Sequence, residues 1–117
     1  MRRKRIIKLG LIGVGKWGIN YVKTINEFNN ISLAAVCSKN EKVENIVPKD
    51  CKIYKDWKEI IQSNEIDGLI LCTPTNTHYS ISKEILKRGI PLLSEKPLAT
   101  NLSQINNLLK ICIKKKA

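Results

Sequence analysis

Gly13, Gly15 and Gly18 stand between a short apolar segment and a segment with helical periodicity. Residues 5–13 are mostly apolar and β-branched, which predicts a buried strand that ends at the first glycine. Residues 16–28 carry apolar side chains at offsets of three and four, which predicts a helix with one buried face. The order of strand, glycine turn and helix limits the chain to a small set of α/β folds.

The G-x-G-x-x-G spacing of this turn predicts a dinucleotide site. The first glycine permits a tight turn, the second lets the backbone approach a pyrophosphate, and the third lets the helix pack against the strand. The N-terminus of the helix favours the negative charge of the phosphates. A purely structural glycine turn is the alternative. We predict that five residues of the turn contact the dinucleotide, namely Gly13, Gly15, Lys16, Trp17 and Gly18.

The remainder of the chain alternates strand and helix patterns. Further strands are predicted at residues 31–37, 52–54, 67–73 and 91–94. Helices are predicted over residues 77–88 and from the capping pairs Asp56/Glu59 and Asn101/Gln104. Gly89 has the position of a left-handed cap at the end of the 77–88 helix. The alternation predicts a doubly wound α/β fold, with a mostly parallel sheet covered by helices on both faces.

The length of 117 residues fits one domain. No repeat or linker-like segment divides the chain, so we expect residues 1–117 to form a single dinucleotide-binding domain. The four cysteines are widely spaced and form no C-x-x-C pair, so we expect no metal site and no redox motif. Free thiols suit a reducing cytoplasm, and no apolar segment approaches the ~20 residues that span a bilayer.

A formal net charge of +11 makes the chain basic enough to attract phosphates, anionic cofactors or nucleic acid. Much of the excess lies at the two ends, where charged side chains are usually solvated, at Arg2, Arg3, Lys4, Arg5, Lys114, Lys115 and Lys116. The chain has two Trp, three Tyr and one Phe for stacking and no nucleic-acid-binding motif. We therefore do not expect nucleic acid as a partner.

The second predicted strand lacks the acidic residue that usually follows it. In dinucleotide sites that residue accepts hydrogen bonds from the adenosine ribose. Here the segment reads Ser38, Lys39 and Asn40. Lys39 could meet a 2′-phosphate, so these residues favour NADP slightly over NAD, and we place Ser38 and Lys39 in the cofactor site. The alternative for Lys39 is an ordinary solvated loop lysine.

Two further motifs follow the fourth and fifth predicted strands. Residues 73–78 read TPTNTH and residues 94–99 read SEKPLA. Ligands of open α/β sheets bind beyond the carboxyl ends of the strands, where both motifs are expected. With the glycine turn, in this order, they resemble the N-terminal NAD(P)-binding domain of the glucose-fructose oxidoreductase and inositol dehydrogenase (Gfo/Idh/MocA) family. The resemblance covers essentially the whole chain.

The resemblance implies a role for several residues of the two motifs. Thr73, Pro74, Asn76 and His78 would line the cofactor crevice, and Glu95 would contact the nicotinamide-ribose side of the cofactor. His78 could instead cap the next helix or fill a crevice wall without touching the cofactor. Motif membership alone leaves both possibilities open for the histidine.

By the same resemblance Lys96 is the catalytic residue of this chain. It would lie beside the nicotinamide, orient a sugar, cyclitol or sugar-nucleotide hydroxyl, and assist its deprotonation while hydride passes to the ring. Oxidation of an alcohol requires a group that removes or stabilises the hydroxyl proton, and a lysine can fill that role. A solvated loop lysine before a proline is the alternative.

Members of the family carry a second, mainly β domain that completes the catalytic group and shapes the substrate pocket. Nothing in the 117 residues corresponds to it, so we expect a domain that binds NAD(P) and turns over little substrate alone. A separate substrate domain or a second copy of the chain is the expected protein partner. A non-catalytic nucleotide-binding or oligomerisation module is the alternative function, because exposed apolar surface commonly ends in protein contacts.

Overall fold

The computed structural model describes residues 5–115 and contains one five-stranded parallel sheet. Its strands are β1 (Ile7–Ile12), β2 (Ile31–Cys37), β3 (Lys52–Tyr54), β4 (Gly68–Leu71) and β5 (Leu92–Ser94). Their order across the sheet is β3-β2-β1-β4-β5, and each neighbouring pair is parallel. The doubly wound α/β fold is thus confirmed. Arg2, Arg3, Lys4 and Lys116, expected to be solvated, lie outside the described residues.

Four helices connect or follow the strands. They are α1 (Lys16–Asn26), α2 (Trp57–Ile60), α3 (His78–Lys87) and α4 (Leu102–Lys115). Between β2 and β3, a stretch that the structure describes throughout, the chain forms no α-helix. Its regular element there is a single 3₁₀ turn at Val43–Asn45. α1 ends at Asn26, before Phe28, whose side chain is 52% exposed and does not join the buried face expected of it.

The two faces of the sheet are buried by different helices. Adjacent residues of a strand point to opposite faces. In β1, Leu11 packs in the same cluster as Val22 of α1, whereas Ile12 packs in the same cluster as Ile81 and Ile85 of α3. All five side chains are at most 3% exposed. Burial on both sides explains why the strands read as continuous apolar runs.

The predicted helix ends are formed by local hydrogen bonds. Gly89 has a φ of +71°, and the amides of Gly89 and Ile90 donate to the carbonyl oxygens of Leu86 and Ile85, which is a Schellman cap. Within residues 5–115, no helix is both long and apolar enough to cross a membrane.

Both predicted N-terminal caps form, but neither is a complete capping box. Asp56 accepts a hydrogen bond from the Lys58 amide at 3.0 Å, and Asn101 accepts one from the Gln104 amide at 2.9 Å. In a capping box the Gln104 side chain would return to the amide of Asn101. Here it accepts from the amide of Thr100 instead, at 3.1 Å. The capping pair at α4 therefore spans one residue more than its spacing predicts.

Candidate functional site

The glycine turn is shaped by how little space surrounds two of its three glycines. Gly13 has a φ of +96°, and a Cβ there would lie 2.7 Å from the carbonyl oxygen of Cys72. A Cβ on Gly18 would overlap the carbonyl oxygen of Gly13. Neither position can hold a side chain without moving backbone. The first and third glycines thus have the structural roles that the motif predicts.

Gly15 differs, because a Cβ there would meet nothing within 4 Å. It is the N-cap of α1 and supplies no side-chain hydrogen bond, and the first turn of the helix contains no acidic residue. The first amide groups of α1 have no intrahelical acceptor, and the backbone at Gly15 is open to approach from outside. This is the cradle that a pyrophosphate requires: free amide donors, a positive helix end and no side chain in the way.

A crevice of about 880 Å³ opens from this turn across the carboxyl ends of β1, β2 and β4. Seven residues predicted for the cofactor site line it, namely Gly13, Gly15, Ser38, Lys39, Thr73, Pro74 and Asn76. Lys16, Trp17, Gly18, His78, Glu95 and Lys96 are not among its lining residues. The crevice volume lies within the range of small-molecule and cofactor sites.

The loop after β2 forms one end of the crevice. Ser38 is 9% exposed, and its hydroxyl accepts a hydrogen bond from the Asn40 amide at 3.0 Å. Its own amide donates to the carbonyl oxygen of Tyr54 at the end of β3. The serine therefore supports the loop, and the side chain of Lys39 remains exposed beside the crevice.

Sequence reasoning missed the residues after β3. Lys55, Asp56 and Trp57 also line the crevice, next to the loop that carries Lys39. The available signal was their position after a predicted strand, but only the strand order reveals that β3 lies beside β2. Asp56 caps α2 and also lines this end of the crevice. Two cationic side chains, Lys39 and Lys55, and one carboxylate therefore lie there.

The loop after β4 forms the opposite wall of the crevice. The Thr77 hydroxyl lies 2.6 Å from the Thr73 hydroxyl and 2.6 Å from the carbonyl oxygen of Pro74. These contacts close a 3₁₀ turn at Thr75–Thr77 that leads into α3. The turn leaves Asn76 exposed at the crevice, where its side-chain amide can both donate and accept hydrogen bonds.

His78 lies behind this wall. It is 1% exposed, and its two ring nitrogens lie 2.7 Å from the carbonyl oxygens of Pro97 and Thr73. The buried ring lies between the loop after β4 and the loop after β5, and a neutral imidazole can donate a hydrogen bond to only one of the two carbonyl oxygens. The ring lies behind the crevice wall and supports it, and its direct contact with a cofactor stays a prediction.

Glu95 and Lys96 follow β5, which lies at the opposite end of the strand order from β2 and the Ser38 loop. The Glu95 amide donates to the carbonyl oxygen of Leu71 at 3.0 Å, which continues the pairing of β5 with β4. The Glu95 carboxylate accepts a hydrogen bond from the hydroxyl of Tyr21 in α1. This bond, together with burial, raises the pKa of Tyr21 to about 12. Lys96 itself is exposed.

Two cysteines line the crevice, Cys37 as a buried and Cys72 as a partly buried thiol. Burial is the main cause that raises the pKa of Cys37 and that of Cys72 to about 11. Both are therefore protonated near neutral pH and act as small apolar side chains. Among the residues that the structure describes, no group of three or more histidines, cysteines and acids could hold a metal ion.

The family model described as an oxidoreductase family with an NAD-binding Rossmann fold, Gfo/Idh/MocA, matches residues 7–117. The rhizopine catabolism protein MocA of Rhizobium meliloti is 34% identical over 91 residues, covering 77% of this chain and 29% of that protein. Inositol 2-dehydrogenase 4 of Saccharopolyspora erythraea is 32% identical over 98 residues, covering 80% of this chain and 29% of the relative.

A solved structure of a candidate oxidoreductase from Magnetospirillum magnetotacticum superposes with a TM-score of 0.89 at 30% identity. The match covers 96% of this chain and 36% of that structure. The chain thus spans about a third of the length of the proteins it matches. The glycine cradle, the strand order and the family match agree, and the chain belongs to the Gfo/Idh/MocA oxidoreductase family, as its NAD-binding Rossmann domain.

Proposed function

We propose that the chain is the coenzyme-binding part of a dehydrogenase that acts on a sugar, cyclitol or sugar-nucleotide hydroxyl. The single observation that carries the proposal is the open backbone at Gly15, which caps α1 and lines the crevice. The similarity to an inositol 2-dehydrogenase supports a polyol as the substrate class. When bound, the nicotinamide supplies the hydride acceptor.

The strand order supports a direction for the bound coenzyme. In Rossmann folds the pyrophosphate lies at the first turn and the adenosine extends toward the end of the second strand. The adenosine ribose would then lie near Ser38 and Lys39, and the nicotinamide on the side of β4 and β5. Glu95 would contact the nicotinamide ribose, and Lys96 would hold or remove the proton of the substrate hydroxyl. Thr73, Pro74 and Asn76 would form the wall between the two halves.

We further propose a preference for NADP over NAD. Two lysines, Lys39 and Lys55, line the end of the crevice where a 2′-phosphate would lie. Asp56 lies at the same end, but its carboxylate already accepts a hydrogen bond from the Lys58 amide. The cation pair therefore favours the additional phosphate.

We propose that a substrate domain, in the same protein or in a partner chain, completes the catalytic site. The chain spans 29% of the length of the inositol 2-dehydrogenase to which it is similar, and large apolar side chains are exposed on β5 and α4. Leu93 is 55%, Leu109 51% and Ile113 79% exposed. These exposed apolar side chains are candidates for the surface that docks such a domain. Four free thiols, all within the described residues, are consistent with a reducing cytoplasm as its compartment.

Calorimetric titration of the chain with NADH and NADPH tests the proposal. Because a side chain at Gly15 meets only open space, Gly15→Val should leave thermal unfolding unchanged and abolish saturable binding of both ligands. Gly68→Ala, whose Cβ would make only ordinary contacts at 3.4 Å, is the matched glycine control and should bind like the parent chain. A folded parent chain that binds neither coenzyme would reject the proposal and favour an interaction module.

A further inference from the structure

Lys96 stands between two residues that are tied to different helices. On one side, the carboxylate of Glu95 accepts a hydrogen bond from Tyr21 of α1. On the other side, the carbonyl oxygen of Pro97 lies 2.7 Å from Nδ1 of His78 in α3. Within residues 5–115, the exposed Lys96 side chain itself makes no hydrogen bond or ion pair. The position of this flexible side chain is therefore set through its backbone neighbours.

Tyr21 links the loop to the helix that carries the glycine cradle. Its hydroxyl is the donor and the carboxylate of Glu95 the acceptor, across 74 positions of sequence. A hydrogen bond to an ionised carboxylate is stronger than one between neutral groups. The bond ties the end of β5 to the second turn of α1, so the glycine turn and the Lys96 loop keep a fixed separation.

His78 links the loop to the opposite crevice wall. Nε2 lies 2.7 Å from the carbonyl oxygen of Thr73, which lines the crevice, while Nδ1 reaches Pro97. The ring is 1% exposed, so water has little access to its nitrogens. Movement of Pro97 would leave Nδ1 of this buried ring without its partner, which is costly.

We propose that Tyr21 and His78 are positioning residues that hold Lys96 at the nicotinamide end of the crevice. The inference rests on the proposed function for the location of the nicotinamide, which the strand order supports. Neither residue touches the reacting atoms in this proposal. Tyr21 acts through Glu95, and His78 acts through the backbone of Pro97.

The test compares two ligands that differ only at the nicotinamide end. ADP contains the adenosine and both phosphates but neither the nicotinamide ring nor the ribose that Glu95 would contact, whereas NADH contains all of them. We expect Tyr21→Phe to weaken NADH binding roughly tenfold and to change ADP binding less than about twofold. Tyr79→Phe is the matched control, because it also removes a bonded tyrosine hydroxyl, one that lies 2.7 Å from the Asn107 amide nitrogen, away from the crevice.

Two further variants separate positioning from general stability. In a Glu95→Gln background, Tyr21→Phe should have little additional effect on NADH binding, because the two residues act as one unit. His78→Gln, compared at a temperature where the chain is folded, should show the same selective loss for NADH. Equal losses for both ligands would indicate a structural role only and overturn the proposal, as would unchanged binding of NADH.

The ionisation of Tyr21 reports on the hydrogen bond between Tyr21 and Glu95, called the brace below, without any ligand. Its pKa of about 12 lies above the ordinary value of 10.0, so the bond stabilises the folded chain below pH 10 and that contribution is lost as the pH rises through 12. Ultraviolet titration of the phenolate should assign this high value to Tyr21 by its absence in Tyr21→Phe. Glu95→Gln should move it toward 10, and an unchanged titration would contradict the proposed bond.

Amide hydrogen exchange tests the bond between Tyr21 and Glu95 even if no coenzyme binds. Failure of the parent chain to bind NADH, NADPH or ADP rejects the proposed function. The brace is then judged by the exchange of the Glu95 amide, which donates to Leu71 in the ligand-free chain. Tyr21→Phe should accelerate it about tenfold and leave the β1–β4 amides unchanged. Unchanged exchange at Glu95 would overturn the brace itself.

Discussion

The carboxyl and amino edges of the sheet are formed by the same strands but differ in how their loops fill space. At the amino edge, the Asp67 carboxylate accepts hydrogen bonds from the Lys8 amide at 2.8 Å and from the Arg5 guanidinium at 2.5 Å. At the carboxyl edge, Gly15 at the start of α1 lines a crevice of about 880 Å³ and has no side chain to bond the first amide groups of the helix. A side chain satisfies the backbone at the amino edge, whereas the carboxyl edge leaves it open to a ligand or to water.

Glycine is needed at two positions of the turn because backbone atoms lie close by, and at a third only to let a ligand approach the backbone. Gly13 and Gly18 are required because backbone atoms occupy the space where a Cβ would lie. Gly15 is required only if something must approach the backbone from outside, because no atom of the chain lies within 4 Å of its Cβ position. Gly68, at the amino edge, has neither requirement.

The largest effect on stability is expected at Gly13, in the glycine turn of the carboxyl edge. Gly13→Ala puts a Cβ into a left-handed conformation and 2.7 Å from the carbonyl oxygen of Cys72, so the free energy of unfolding should fall by about 3 kcal/mol. Gly68→Ala, at the opposite edge, should change it by less than about 1 kcal/mol. Urea denaturation followed by circular dichroism measures both. Equal losses would mean that the two edges are packed alike.

A smaller effect, on coenzyme binding, is expected for Lys39 at the carboxyl edge. Lys39→Gln should weaken NADPH binding about tenfold and leave NADH binding within about twofold, because only NADPH carries the 2′-phosphate. Lys55→Gln should act in the same direction. Lys58→Gln is the matched control, since Lys58 follows on α2 but does not line the crevice. A parallel loss for both coenzymes would assign Lys39 to general charge attraction instead.

The smallest effect is expected at the closed edge. Asp67→Ala removes the acceptor for Lys8 and the ion pair with Arg5, whose side chain is 79% exposed. The free energy of unfolding should fall by about 1 kcal/mol, because exposed ion pairs contribute little. Coenzyme affinity should stay unchanged in calorimetric titration. A change in affinity would show that the amino edge influences the crevice from a distance.

The fold was largely predictable because its signals are local. The glycine turn, the apolar strands and the cap at Gly89 each depend on neighbours within a few positions, and the structure confirms them. Strand ends shifted by one or two residues because pairing stops where the loops diverge, as at Leu71 before Thr73. The 3₁₀ turn between β2 and β3 was not predicted, because no apolar periodicity or capping pair marks it.

The candidate site was predictable in part for the same reason. Residues of the glycine turn and of the Thr73 loop could be named because motifs mark them. Lys55 and Trp57 carry no motif, and they reach the crevice only because β3 pairs with β2. Tyr21 reads as an ordinary apolar position on a helix face. Its bond to Glu95 joins residues 74 positions apart, which periodicity cannot reveal.

The sequence by itself determined the α/β alternation, the glycine turn and the identity of the loops that follow each strand, because backbone conformation and burial period are encoded locally. The tertiary structure decided which loops meet. It placed Lys39 beside Lys55, turned His78 away from solvent between two carbonyl oxygens, and tied Glu95 to Tyr21. These pairings depend on strand order and side-chain packing, which bring together groups that no local pattern connects.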